Sequence, residues 1–199
     1  MFRTANFGGG RDIWSVEMGT GKTPEAVVAT KFDELHRSGW DATARLADQR
    51  RDGVSAEVIY PTVGMVLCNH KDLDYKHACM DAYNLWIAEY CGAHPDRLFG
   101  VGQTAMRTPE EGIADLESIR DLGLKGVMMP GVPGLEDYDS PIYDDFYEAA
   151  VDLGLPLSFH ILTGPSGKVR GPKINGFLTI VRSCQDVMGA LVFGAVFER

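Results

Sequence analysis

Three short apolar runs are spaced like the strands of one repeating unit. They are Leu98-Phe99-Gly100-Val101-Gly102-Gln103, Lys125-Gly126-Val127-Met128-Met129 and Leu155-Pro156-Leu157-Ser158-Phe159-His160. They recur about every 30 residues, the length of one βα unit. The stretches between them carry helix signals. Thr108-Pro109-Glu110-Glu111 supplies a cap, a proline at the first helical position and an acidic first turn. That helix turns Ile113, Leu116 and Ile119 inward and ends at Gly123, and a second runs from Pro141 to Leu153 and ends at Gly154. Repeated βα units imply the α/β class with a parallel sheet, either doubly wound or closing toward a (β/α)8 barrel.

The same punctuation extends upstream. Ala56-Glu57-Val58-Ile59-Tyr60 reads as a fourth strand stopped by Pro61. Residues 72 to 92 read as a helix with Ala78, Ala82, Leu85, Trp86 and Tyr90 near one inward face. Asp41 caps a shorter helix that Gly53 ends from the left-handed region. After His160 come a loop rich in Gly and Pro and an apolar helix from Phe177 to Phe197, with a break expected near Gly189. Residues 1–40 read as a loop and helix segment of the same domain, with Thr23-Pro24-Glu25 as a helix start. Residues 41–199 carry the strands.

Several function classes are disfavoured. The net charge of −9 argues against nucleic-acid binding, which needs a concentrated positive face. No unbroken apolar run approaches the roughly 20 residues of a membrane span, and MFRTANFGGG lacks the apolar core of a signal peptide. Cys68, Cys79, Cys91 and Cys184 form no CxxC pair, which points to a reduced, cytoplasmic protein. Met18-Gly19-Thr20-Gly21-Lys22-Thr23 ends like a phosphate loop, but Val16 stands where that motif needs glycine, and no strand precedes it.

Ligand sites in α/β proteins lie at the carboxyl ends of the strands, where His160 falls. A neutral imidazole there offers a nitrogen to a metal, a substrate or a proton. A core histidine bonded to a backbone carbonyl is the alternative that position leaves open. Thr62, Gln103 and Met129 fall at the ends of the other strands. Thr62 and Gln103 are candidates to hydrogen-bond a substrate carboxylate or carbonyl, with loop-closing bonds the alternative. Lys168, Arg170 and Lys173 make the loop after His160 basic, either a lid that attracts an anion or a solvated linker. The stretch Asn69 to Asp74 with His77 reads as a solvated helix start, because its spacing fits no standard ligand pattern. Asp137, Asp139, Asp144 and Asp145 read as surface charge.

Taken together, several of these pieces resemble the amidohydrolase superfamily, in its amidohydrolase-related branch that includes aminocarboxymuconate-semialdehyde decarboxylase. They are Arg51-Asp52-Gly53-Val54 leading into the run Ala56 to Thr62, Ala82-Tyr83-Asn84-Leu85-Trp86, Pro95-Asp96-Arg97-Leu98, Gly123 to Val127, and Ala149 to His160. The resemblance implies a partial (β/α)8 barrel of about four parallel strands over residues 41–199. It implies one divalent metal, zinc first and manganese second, with His160 as the fifth-strand ligand. Hydrolysis through metal-activated water and non-oxidative decarboxylation through a Lewis-acidic metal are the two chemistries it offers. The substrate expected is a small carboxylated molecule, aromatic acids included, and the protein a homo-oligomer with no nucleic-acid or membrane partner. The sequence contains no HxH pair, and nothing after Arg199 supplies a sixth-strand histidine or an eighth-strand aspartate. An internal fragment lacking the first strand and the last three is therefore expected. The rival expectation is a catalytically incomplete half-barrel serving as a binding or assembly module.

Overall fold

The computed structural model describes residues 36–62, 64–165, 167–172 and 175–199. The readings of the phosphate-loop tail and of the helix start at Thr23 lie outside the described residues. Strands and helices alternate as α1 (Ala42–Asp52), β1 (Glu57–Ile59), α2 (Gly64–Leu67), α3 (Leu73–Gly92), β2 (Leu98–Gly100) and β3 (Gly102–Gln103). They continue as α4 (Pro109–Asp121), β4 (Val127–Met129), α5 (Asp144–Asp152), β5 (Leu157–Phe159) and α6 (Asn175–Phe193). Single 3-10 turns precede α1 and α5 and follow α6.

Two compact units are distinguishable. The first contains, of the described residues, 36–58 and 89–99. Asp41 caps α1 by accepting from the amides of Thr43 and Ala44, and Gly53 closes it at φ 72°. A residue other than glycine is strained in that left-handed region. Arg97 ties the end of α1 to the strand that follows, donating to Gln49 Oε1 at 2.9 Å and to the Val54 carbonyl at 3.0 Å.

The second unit contains residues 59–88 and 100–199. Its sheet has the order β3-β4-β5, all parallel, with Gly102 opposite Val127 and Met129 opposite Phe159. β4 is flanked on both sides, so Val127, Met128 and Met129 are completely buried. Leu116 and Ile119 of α4 pack onto this sheet where Gly102 leaves room: a Cβ there would meet Ile119 at 2.9 Å. Phe146 and Ala150 of α5 and the rings of Tyr138 and Tyr143 complete the core. This is the expected partial (β/α)8 arrangement, with every expected strand present.

Five readings are corrected. The strand Leu98–Gln103 is interrupted at Val101, whose amide bonds to Ile59 O while that of Gly102 bonds to Gly126 O. The His160 strand is half-buried rather than buried, because β5 is the edge of its sheet. Most of the expected inward face of α3 is turned out: Leu85 is 62% and Trp86 45% exposed, and Ala78 and Ala82 are exposed too, while Tyr90 is buried as expected. Its buried residues are Lys76, Met80, Asn84, Ile87, Tyr90 and Cys91, with Lys76 and Asn84 polar, so hydropathy pointed mostly to the wrong side. The final helix runs through Gly189 without a break and stops at Phe193. Finally, Leu178–Glu198 is long and apolar enough by length and composition to cross a membrane. Scattered charges such as Arg182 and Asp186 hide it from a search for unbroken apolar runs.

Candidate functional site

Four chain segments leave the strands at their carboxyl ends: Tyr60-Pro61-Thr62, Thr104 to Arg107, Pro130 to Gly134 and His160 to Thr163. His160 is half-buried, and its Nδ1 lies 2.9 Å from the carbonyl oxygen of Ile161. A carbonyl only accepts, so Nδ1 carries the hydrogen. The neutral ring then keeps its lone pair at Nε2, the tautomer that suits a metal or proton acceptor. Thr163 donates from Oγ1 to the His160 carbonyl at 2.7 Å and fixes the turn.

The surroundings hold that turn in place. Asn69, after α2, donates to Leu162 O at 2.7 Å, and Leu162 is in the left-handed region at φ 71°. Met106, in the loop after β3, is there as well at φ 48°. Strain of this kind persists only where the surrounding structure enforces it, and it collects at functional loops. The loops after β4 and β5 touch backbone to backbone, with the Gly131 amide donating to Thr163 O at 2.9 Å. A Cβ on Gly131 would lie 2.8 Å from the Gly164 nitrogen, so glycine permits the approach. Behind His160, Tyr138 is completely buried, donates to Pro130 O at 2.8 Å and meets the Phe159 ring edge-on at 5.2 Å.

The candidate residues fall in different settings. His160 faces the ring of Tyr60, 40% exposed, at a centroid distance of 6.0 Å. Thr62 is exposed in the turn after β1. Gln103 is 1% exposed; its Nε2 donates to Gly64 O at 3.1 Å, and Oε1 has no hydrogen-bond partner among the described residues. Met129 is completely buried. Lys168 and Arg170 are exposed in the loop after β5, and Lys173 lies outside the described residues. Among the acidic residues of the 137–145 stretch, Asp144 pairs with Arg199 at 3.0 Å. Tyr60 and Asn69 escaped sequence reasoning as neighbours of His160. The available signal was that Tyr60 directly precedes Pro61, at the end of its strand.

A second cluster lies on the helices. His77 and Asp81 of α3 and Asp115 of α4 each offer a ligand atom, all within 4.8 Å of one another. A cleft of about 270 Å³ opens over them, lined also by Asn84, Arg107 and Glu111. Burial pushes the Asp115 carboxyl above its ordinary value, opposed by the hydrogen bond from Thr104 and the nearby His77. His77 therefore faces a neighbouring helix rather than lying on a solvated helix start. Asn69, from the same stretch, holds the His160 loop.

Comparison with known proteins agrees with the fold. A family model described as amidohydrolase matches residues 23–195. An amidohydrolase from Mycobacterium avium subsp. paratuberculosis K-10 superposes with a TM-score of 0.68 at 19% identity, covering 92% of this chain and 51% of its own. The 2,6-dihydroxybenzoate decarboxylase from Rhizobium superposes with a TM-score of 0.62 at 19% identity, covering 77% of this chain and 51% of its own. A 5-carboxyvanillate decarboxylase from Novosphingobium aromaticivorans, solved with bound manganese, reaches 26% identity and a TM-score of 0.52 over 59% of this chain and 34% of its own. The chain thus spans about half the length or less of these solved structures.

Proposed function

The chain belongs to the amidohydrolase family, and on that premise we propose that the intact protein is a metal-dependent enzyme acting on a small carboxylated substrate, aromatic acids included. The observation that carries this reading is His160, at a strand end with Nδ1 committed to Ile161 O and Nε2 left to face a ligand. The residue fits one divalent metal, zinc or manganese, as one of its protein ligands. A catalytic zinc takes about three, and this chain has no HxH pair to supply others. Bound there, the metal supplies Lewis acidity toward a carboxylate or activates water. The residues of this chain orient that site. Ile161 and Thr163 fix the imidazole, Tyr60 offers an aromatic face beside it, and Thr62 offers a hydroxyl at the neighbouring strand end. Gln103 supports them from behind through Gly64, and Lys168 and Arg170 draw in an anion.

Decarboxylation is the chemistry we favour over hydrolysis, since the similar solved structures include both a 2,6-dihydroxybenzoate and a 5-carboxyvanillate decarboxylase. A cytoplasmic location accords with four free cysteines. A second reading, a half-barrel that serves as an assembly module, is favoured by one observation: β5 is a sheet edge and only half-buried. Such an edge calls for a covering partner, and a second copy of the chain is the one we propose.

The test is metal analysis combined with a substrate screen. The protein is expected to copurify with a divalent metal and to release carbon dioxide from carboxylated aromatic acids. His160→Ala, with its circular dichroism unchanged, is expected to lose both. Unchanged metal content and turnover in that variant would refute the assignment of His160. New carboxylate from an ester, amide or lactone would establish hydrolysis instead. No turnover together with an obligate oligomer in sedimentation would favour the assembly module.

A further inference from the structure

We propose that His77, Asp81 and Asp115 form a divalent-metal site of the zinc class that ties α3 to α4, separate from the strand ends. The spacing supplies the first part of the argument. His77 and Asp81 are four residues apart on α3, so they share one face of the helix. Their Nε2 and Oδ2 atoms are 3.3 Å apart. Asp115 approaches from the next helix, with its Oδ1 at 3.9 Å from His77 Nδ1. That separation is too long for a hydrogen bond and leaves a gap between donors from two helices. Asp81 and Asp115 stand at opposite nitrogens of the ring, so the metal takes Nδ1 beside the rigid Asp115, and rotation of the exposed Asp81 side chain brings its carboxylate round to the same side.

Orientation is the second part. The other oxygen of Asp115 accepts from Thr104 Oγ1 at 2.6 Å, so one oxygen is anchored and the other is aimed at His77. Metal-binding carboxylates are characteristically held in this way by a neighbour. The Asp115 side chain is only 12% exposed, while Asp81 at 53% remains open to solvent. The ion therefore has a rigid inner ligand and an entry path, both of which a genuine site needs. Charge is the third part. The cleft is lined by Asp81, Glu111 and Asp115 against the single guanidinium of Arg107, which is already paired to Glu111 at 2.7 Å and to Asp74 at 2.6 Å. The surplus is negative and suits a cation. A nitrogen and two carboxylate oxygens, with room for water, suit zinc better than calcium or magnesium, which prefer all-oxygen sites.

The site does not depend on the strand-end reading. Zinc titration of the metal-free full chain by calorimetry, repeated with cobalt(II) for its visible absorption, tests it directly. The wild type is expected to bind one more equivalent than His77→Ala and to gain thermal stability on zinc addition. His160→Ala is expected to retain that equivalent, so failure at the strand end and failure here give different results. Asp81→Asn removes an exposed carboxylate that the fold does not need and is expected to weaken binding by about tenfold or more. It keeps the test decisive if His77→Ala unfolds. Identical zinc stoichiometry and affinity in the wild type and Asp81→Asn would overturn the proposal. His77 would then be held between two carboxylates without an ion.

Discussion

Asn84 of α3 grips the backbone of Gln103 in β3 with both ends of its amide. Its Oδ1 accepts from the Gln103 amide at 2.8 Å, and its Nδ2 donates to the Gln103 carbonyl at 2.8 Å. One side chain thereby does what a neighbouring strand does, satisfying a buried donor and acceptor on the edge of β3. Asn84 is 5% exposed and Gln103 1%, so water does not replace either bond.

Asn84→Ala should therefore cost more than an ordinary polar substitution. It leaves a buried N–H and a buried C=O unpaired, at about 1–3 kcal/mol each. A loss of about 2–4 kcal/mol in urea unfolding is expected. A loss below 0.5 kcal/mol would mean that β3 pairs without Asn84.

Gly131→Ala tests the contact that seats the His160 loop. The added methyl meets the backbone of Gly164 at 2.8 and 2.9 Å, and backbone cannot swing aside. Overpacking of this kind costs about 1–3 kcal/mol. On the proposed function, the intact protein should also lose turnover as the loop carrying His160 is displaced. A variant with wild-type stability and activity would show that the two loops separate freely.

Asp41 makes the stability of α1 depend on pH. The hydrogen bond from the Ala44 amide holds its carboxyl below the ordinary value of 3.8, against the opposing effect of desolvation and with Arg37 beside it. The unfolded chain thus binds more protons just below pH 3.8, and stability rises with pH in that window. The contribution is complete above it and is lost as pH falls through the lowered value. Asp41→Asn keeps a capping oxygen but removes this dependence. Its deficit against the wild type should vanish in acid, and a constant deficit from pH 2 to 7 would contradict the argument.

The cysteines should sort by burial when alkylated in the native state. Burial pushes the Cys68 thiol up to about 12 and the Cys91 thiol up to about 11. Cys79 and Cys184 are only half-buried. Since the thiolate is the nucleophile, iodoacetamide at pH 8 should label Cys79 and Cys184 first. Cys68 and Cys91 should react only on unfolding. Mass spectrometry resolves the four sites, and early labelling of Cys68 would contradict its burial.

Local chemistry made much of this protein legible in the sequence. The Asp41 cap, the Gly53 stop, the Thr108-Pro109 start and the recurring apolar runs are local signals, and each element they announce is present. The place of His160 at the end of β5 follows from the same punctuation. What escaped the sequence depends on partners distant in the chain. α3 buries Asn84 and exposes Leu85 because the bare edge of β3 offers polar groups that only an amide satisfies. β5 is half-buried because sheet order, and no property of Leu157–Phe159 itself, decides which strand lies at the edge. His77 meets Asp115 across 38 residues of sequence because α3 and α4 pack side by side. The sequence by itself determined most of the elements, their order and the strand-end histidine, since backbone preference and apolar period act over a few residues. Tertiary structure alone decided which faces are buried and which charges meet, since both depend on what packs against each helix.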